Sequence, residues 1–470
     1  MWKDKDWSLK VSESPPAGRR QPLRLISATI AAGITAALLV ACGSSGSPGG
    51  SSSGTKASVP SSNVSGNFTE WNWDIPSDDP GEHAVLTPLM KMLKTRFPHV
   101  KISNTSMTLS AQNDKLPLAL ASASSSPDLT QTNEGLENQG RLVEDNEIMP
   151  LNAYDKIYHW TSRVGQLPLA FNSWPSDKAM FGSGNIYAVP ETGTVVGVFY
   201  NKKILASIGA KPPTDWNSFV AGLAAAAKAG VTPIAYAGGQ PTAFQPTHVL
   251  WMLINHYVPA AKSLAFVSHR GSNPSVDTPG DIQAASTLAA WTKAGYFPKG
   301  FQGLSDDDAL NMFDKGNAAY FIEGNWYTSS VAGSLHNNAG FWAPPVVTGG
   351  PGEGWSIPTH SSNPNLAAAI INEVLSPKIQ NALLKAGDIP VVAPTAKALA
   401  AAPPMLRTAD AIWDARVKSH QLVPYMDWAY PDFLNQAMAG VAELQAGRTT
   451  PSALMASLQS DYKSYWSSKG

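Results

Sequence analysis

Pro212-Pro213-Thr214-Asp215-Trp216-Asn217-Ser218-Phe219-Val220-Ala221-Gly222-Leu223 opens a segment that runs through Ala229-Gly230 into Val231-Thr232-Pro233-Ile234-Ala235-Tyr236. Trp216, Phe219, Val220, Leu223 and Ala227 recur at helical spacing, which predicts a helix over 214–229 with Thr214 as its cap. Gly230 ends it, and the apolar run 231–236 resumes as a strand. Working outward, residues 67–73 and 100–107 read as strands around a helix that stops near Phe97-Pro98. A further helix opens at Ser305, where Asp306, Asp307 and Asp308 favour the positive end of the helix dipole. Another opens at Thr450-Pro451 and carries Leu454, Leu458 and Tyr462 on one face. Strands alternating with helices make this an α/β protein.

The only cysteine of the 470 residues, Cys42, follows Leu39-Val40-Ala41. Upstream lie Lys3, Lys5, Lys10, Arg19, Arg20 and Arg24, then the mostly apolar stretch 25–40, which is the layout of a bacterial export signal. Residues 39–42 look like a lipobox, so residues 1–41 are expected to be removed and Cys42 to carry a lipid. Stretch 25–40 is short of the roughly 20 apolar residues that a bilayer span needs. Arg19-Arg20 leaves the export route open between the general secretory and twin-arginine systems. Residues 42–66, rich in Ser, Gly and Pro, read as a flexible tether.

Without residues 1–41, which hold six basic and three acidic residues, 28 basic and 32 acidic residues remain, formally −4. A basic footprint for nucleic acid is absent. One cysteine excludes an intramolecular disulfide and a thiolate metal cluster. No phosphate loop of the G-x-x-x-x-G-K-[ST] type occurs, so the chain is not expected to hydrolyse ATP. The histidines form no H-E-x-x-H pair, and neither a metal nor any other cofactor is expected.

Eight segments in order resemble the extracellular solute-binding proteins of carbohydrate ABC importers, the group that includes maltose-binding protein. They are Phe97-Pro98-His99-Val100-Lys101-Ile102; Ser126-Pro127-Asp128-Leu129; Ile186-Tyr187-Ala188-Val189-Pro190 with Val198-Phe199-Tyr200-Asn201-Lys202; Pro213 to Phe219; Phe313 to Ala319 with Gly324-Asn325-Trp326; Gly354-Trp355-Ser356-Ile357-Pro358; Leu375 to Gln380; and Gly447 to Leu454. Pro88 and Pro117 fall where that family has helix interior, so those helices are expected to kink or to begin later. Residues 237–278 fit the family only loosely.

The resemblance implies a two-lobed periplasmic-binding-protein-like fold of type II, with a hinge and a cleft between lobes. Lobe one is expected at 67–192 plus 354–412 and lobe two at 193–353 plus 413–470, with glycine-containing crossings near 192–194 and 353–355. It also implies a lipid-anchored, non-enzymatic, monomeric receptor on the outer face of the cytoplasmic membrane. Such a receptor hands a saccharide to permease subunits driven by a separate ATPase.

A sugar offers hydroxyls and C–H faces, so its receptor needs acid and amide groups beside flat aromatic rings. On that ground and by family position, the candidate ligand contacts are Asn72, Trp73 and Asp74 at the end of the first strand. Thr132 and Asn133 join them after Pro127-Asp128-Leu129, with Glu191 and Thr194 at the first crossing and Gln240 after Gly238-Gly239. Asn325 and Trp326, Trp355 at the second crossing, and Tyr425, Asp427 and Trp428 complete the set. Two alternatives stay open: a surface-tethered carbohydrate-active enzyme, with Glu191 and Glu323 cast as its acid pair, and a same-fold receptor for a non-sugar solute.

Overall fold

A computed structural model of the chain describes residues 56–76, 80–178, 180–240 and 243–469. Cys42, the export signal and the tether up to residue 55 lie outside these. The remaining part of the expected tether is seated on the protein. Ser58 N donates to Asn365 Oδ1 and Asn365 Nδ2 donates to Ser58 Oγ, each at 3.0 Å, and pairing begins at Ser65. Polar composition concealed these contacts because they are made by backbone and hydroxyl groups.

The chain opens with β1 (Ser65–Asn72), the helix Pro80–Arg96, β2 (His99–Ser106), the helix Leu109–Leu120 and β3 (Leu129–Thr132). A small ribbon of β4 (Ser173–Trp174) and β5 (Asn185–Ile186) precedes β6 (Val189–Pro190), and the long β7 (Thr192–Asn201) follows. Then come β8 (Thr232–Ala235), β9 (Ala318–Gly324), β10 (Ala339–Trp342), β11 (Val347–Pro351), β12 (Gly354–Ser356), β13 (Ile389–Pro390) and β14 (Leu422–Val423). One sheet has the order β2-β1-β3-β12-β6, and a second has β14-β11-β7-β9-β8 with β10 and β13 also paired to β7. The chain passes from the first sheet to the second between Pro190 and Thr192, and back between Pro351 and Gly354.

Both sheets are mixed: β1 pairs in parallel with β2 and β3, and β8 with β9, across helical connections, while β7 at the centre of the second sheet pairs antiparallel with β9, β10, β11 and β13. The helix that opened the reading spans Trp216–Lys228. Its cap is Asp215, not Thr214: Asp215 accepts from Ser218 N at 2.8 Å while Ser218 Oγ receives the Asp215 N–H, a reciprocal capping box. Phe219, Leu223 and Ala226 of this helix are fully buried. Pro88 and Pro117 sit inside helices that start at Pro80 and Leu109 and continue past them, so neither proline delays its helix.

The expected second return to lobe two, at 412–413, falls inside the helix Pro404–Ser419. Helix Pro404–Ser419 already packs on β10, β13 and β14, and Trp413 Nε1 donates to Gly350 O at 3.0 Å.

Candidate functional site

Strand alternation brings Glu70, Asn72 and Asp74 to one side of the first strand's exit. All three are buried, and Asn72 Nδ2 donates to Glu70 Oε1 at 2.8 Å while Asp74 N donates to Asn72 Oδ1 at 3.2 Å. Gln131 then ties this exit to the first crossing. Its Oε1 accepts from Trp73 N at 2.9 Å, and its Nε2 donates to Asp74 Oδ1 at 2.7 Å and to Glu191 Oε1 at 3.1 Å. Trp355 Nε1 donates to the same Glu191 oxygen at 2.8 Å, and Trp73 Nε1 donates to Glu353 Oε1 at 3.0 Å. Both crossings therefore place a glutamate in one polar cluster with Asp74.

The second sheet contributes its own group. Glu323, at the end of β9, accepts from its neighbour Gly324 N and meets His248 Nδ1 at 2.8 Å. The His248 ring lies edge-on to Trp326 at 5.6 Å and to Tyr425 at 6.0 Å between centroids. The Trp326 indole lies on Gly324, where an added Cβ would meet the ring at 2.0 Å. Trp326 and Tyr425 are both only partly buried. Asp306, in the first turn of its helix with Asp307 and Asp308 as expected, also accepts from Phe244 N at 2.8 Å. Asp308 forms the capping box with Ser305.

The two groups meet along a seam. Leu136 N donates to Trp428 O at 3.0 Å, and the Trp428 indole lodges edge-on against Phe171 and Phe181, each 6.0 Å away. A groove of about 210 Å³ opens along that seam, with Asn113, Glu137 and Asn138 on one wall and Pro431, Asp432 and Asn435 on the other.

Electrostatics here are set by burial. It pushes Glu70 up to about 7, and burial with the nearby Glu353 charge pushes Glu191 up to about 8. Burial and then Glu191 hold Asp74 well above the usual carboxylate range. Burial, then Asp427 and Asp432, take Glu137 up to about 8, and burial brings Asp427 to about 6. Burial works against a charge on His248, yet Glu323 outweighs it and the ring is held above its ordinary value.

A pH dependence follows. Glu70 and Glu191 have ordinary values of 4.5 and sit near 7 and 8 in the fold, so the folded protein keeps protons that the unfolded chain releases. This contribution is complete below the unfolded value and is lost as pH rises through the folded ones. The thermal midpoint of ligand-free protein should climb as pH falls from about 8.5 to about 6, and Glu191→Gln should flatten the climb. A midpoint that drops over that interval, with the variant unchanged, would mean the carboxyls are solvated.

Of the residues picked out by sequence, Trp73, Asp74, Glu191, Trp326, Tyr425 and Asp427 come to the seam. Asn72 is spent on Glu70 and the Asp74 N–H. Thr132 is spent on Gly354 O and Ser356 Oγ, and Asn325 on β7 through Val195 N and Gly193 O. Thr194 Oγ1 points along the hinge strands toward Gly350 O at 3.4 Å. Trp73, Trp355 and Trp428 are 3%, 1% and 2% exposed, so all three rings are packed within the protein, Trp73 and Trp355 with Nε1 on Glu353 and Glu191. Asn133 is half-buried at the start of the loop after β3, and Gln240 is exposed to solvent. The glutamine that works there is Gln245, which caps Ala237 N, Ala235 O and Ile322 O. Gln131, Glu353 and His248 join these groups without being among the sequence candidates; the one available signal is a carboxylate or amide lying on a strand end or crossing. Glu191 and Glu323, the pair a hydrolase would use, are each bonded within their own group.

Two α/β halves, joined by antiparallel crossings and closing on a seam of acids and aromatic rings, define a two-lobed binding protein. The chain belongs to the bacterial extracellular solute-binding protein family, whose model matches residues 89–411. A multiple sugar-binding protein of Streptococcus mutans is 29% identical over 149 residues, covering 31% of this chain and 35% of that protein, so the match spans about a third of the relative. Among solved structures, a chitin oligosaccharide binding protein superposes with a TM-score of 0.71 at 19% identity, covering 85% of this chain and 98% of its own. The GacH receptor of Streptomyces glaucescens, solved unliganded and with acarbose, superposes at 0.67 with 17% identity, covering 86% and 98%. These two likenesses are of fold. Among the described residues, no helix is long and apolar enough to cross a membrane.

Proposed function

We propose that the protein is the receptor of an ABC-type carbohydrate importer, binding a sugar or oligosaccharide between its lobes and passing it unreacted to a permease with a separate ATPase. The carrying observation is the pair of polar and aromatic groups, one holding Asp74, Gln131 and Glu353 with the Trp73 indole N–H, the other setting the Trp326 and Tyr425 rings about His248 and Glu323. That combination answers the faces and the hydroxyls of a pyranose together. Support comes from the sugar-binding Streptococcus mutans relative and the saccharide-binding proteins of like fold. Lobe one comprises residues 57–190 and 354 to about 400, and lobe two residues 191–353 and those from about 401 onward. Ligand contacts on both lobes favour the shut state, and only such differential contact can shift the equilibrium.

A thermal-shift screen against mono- and oligosaccharides tests the reading, because a ligand that binds only the folded form raises the midpoint. With the ligand found, Trp326→Ala should weaken binding by about tenfold or more and lower the unliganded midpoint, since the indole also packs against both cores. Equal affinity in that variant would take Trp326 out of the site. Lipid attachment at Cys42 anchors the receptor on the outer face of the cytoplasmic membrane. Cys42→Ala should shift the protein from the membrane fraction to the medium or the soluble extracytoplasmic fraction; retention at the membrane would point to another anchor.

A further inference from the structure

We propose that shutting the seam takes up a proton at Glu137, so that the lobes hold together in mildly acidic surroundings and part as the pH rises. The inference adds regulation to the receptor reading above and rests on its closing lobes. Glu137 follows Leu136, whose N–H donates to Trp428 O at 3.0 Å and so fixes the loop after β3 against the segment that carries Asp427. Glu137 and Asp432 line the groove of about 210 Å³ from its opposite walls. The charges that act on Glu137 are those of Asp427 and Asp432, both acidic and both from the other side of the seam.

Among the described residues, no cation is ion-paired to any of the three. Arg141 and Asp114 also line the groove, but the Arg141 charge acts on Glu147 and Tyr465. Glu134, on the same loop as Glu137, accepts from Asn172 Nδ2 at 3.0 Å, and the His248 charge acts on Asp427. Glu137 Oε2 is sealed from solvent with no hydrogen-bond partner, and so is the Oδ1 of Asn138 beside it in the groove wall. A sealed carboxylate with no donor, facing two like charges, is costly, and a neutral carboxyl in the same place is far less so. Either a proton or the parting of the lobes relieves that cost. Burial, then Asp427 and Asp432, accordingly hold Glu137 at about 8 while the seam is shut, against its ordinary 4.5 once water reaches it. Closing therefore binds a proton between those two values. The gain is complete at the acid end and is lost as pH rises through about 8.

Hydrogen exchange at the Leu136 amide reads this equilibrium, because that N–H bonds across the seam. The full extracytoplasmic chain, without ligand, is exchanged between about pH 6 and about pH 8, with each rate divided by that of an unprotected amide. Protection should fall by about tenfold or more over the interval. In Glu137→Gln, an uncharged isostere of the protonated acid, protection should stay near its acid-side level throughout. Asp432→Asn, which suits the φ of +69° there, should make the fall shallower by removing one of the two like charges. Parallel profiles in the wild type and both variants would overturn the inference, as would a Leu136 amide open to exchange at every pH. Protection lost in Glu137→Gln even at about pH 6 would make the side chain a plain contact and overturn it too. None of these outcomes touches the receptor reading, which the saccharide screen decides separately.

Discussion

Replacing Gly135 with alanine is expected to hold the two lobes apart and cut ligand affinity by about 100-fold if the closed share falls to about 1%. Gly135 sits in the loop after β3 at a φ of +75°, next to Leu136, whose N–H bonds to Trp428 O across the seam. A Cβ there would lie 2.2 Å from Trp428 Cβ and 2.5 Å from Trp428 Cα. The obstacle is backbone and cannot rotate away, so the clash is relieved by parting the lobes. Alanine at this φ also costs roughly 1–2 kcal/mol wherever it occurs. Gly230→Ala supplies the control: its φ is +72° with nothing within 4 Å of the added Cβ, so it carries the strain without the clash. Titration calorimetry and small-angle scattering with saturating ligand should show weak binding and a larger radius for Gly135→Ala alone. Wild-type affinity and compaction in that variant would mean that lobe contact at Trp428 plays no part in holding ligand.

That prediction depends on a contact invisible to the sequence, and the contrast shows what pattern reading can reach. Helix 216–228 was legible because its burial obeys a local period and its cap lies within four residues; only the choice between Thr214 and Asp215 needed coordinates. The crossings were legible in outline from family-like segments with glycine, since hinge strands need little side-chain chemistry. The site was legible by residue type but not by role. Asn72, Thr132 and Asn325 are polar residues at strand ends, as a ligand contact would be, yet each is consumed by fixing backbone or a neighbouring side chain. Trp355 and Trp428 have the same composition signal as Trp326, and whether an indole packs or presents its face depends on partners far away in sequence, such as Phe171 and Phe181 for Trp428. Glu353 acquired its importance only when the fold set it beside Asp74, Glu134 and Glu191.

Asn325 and Trp326, adjacent in sequence, should separate these two kinds of role when each is changed to alanine. The Asn325 carboxamide is 2% exposed; its Oδ1 accepts from Val195 N at 2.7 Å and its Nδ2 donates to Gly193 O at 3.2 Å. Both partners belong to the stretch of β7 that leaves the first crossing, where β11 and β13 also pair. Asn325→Ala leaves one N–H and one carbonyl buried without partners, at about 1–3 kcal/mol each. A loss of roughly 2–5 kcal/mol is a large share of the total for a protein of this kind, and the thermal midpoint should fall by several degrees or more. Affinity per folded molecule should change far less, since the Asn325 side chain is buried and both its polar atoms are directed at β7. Trp326→Ala should tip the balance the other way, with affinity falling more than the midpoint, because its partly buried indole packs at the margin of both cores and turns a face to the seam. Measuring midpoint and dissociation constant on both variants decides the matter. If Asn325→Ala melts with the wild type and binds more than about tenfold more weakly, its amide faces the ligand and the β7 anchor is wrong.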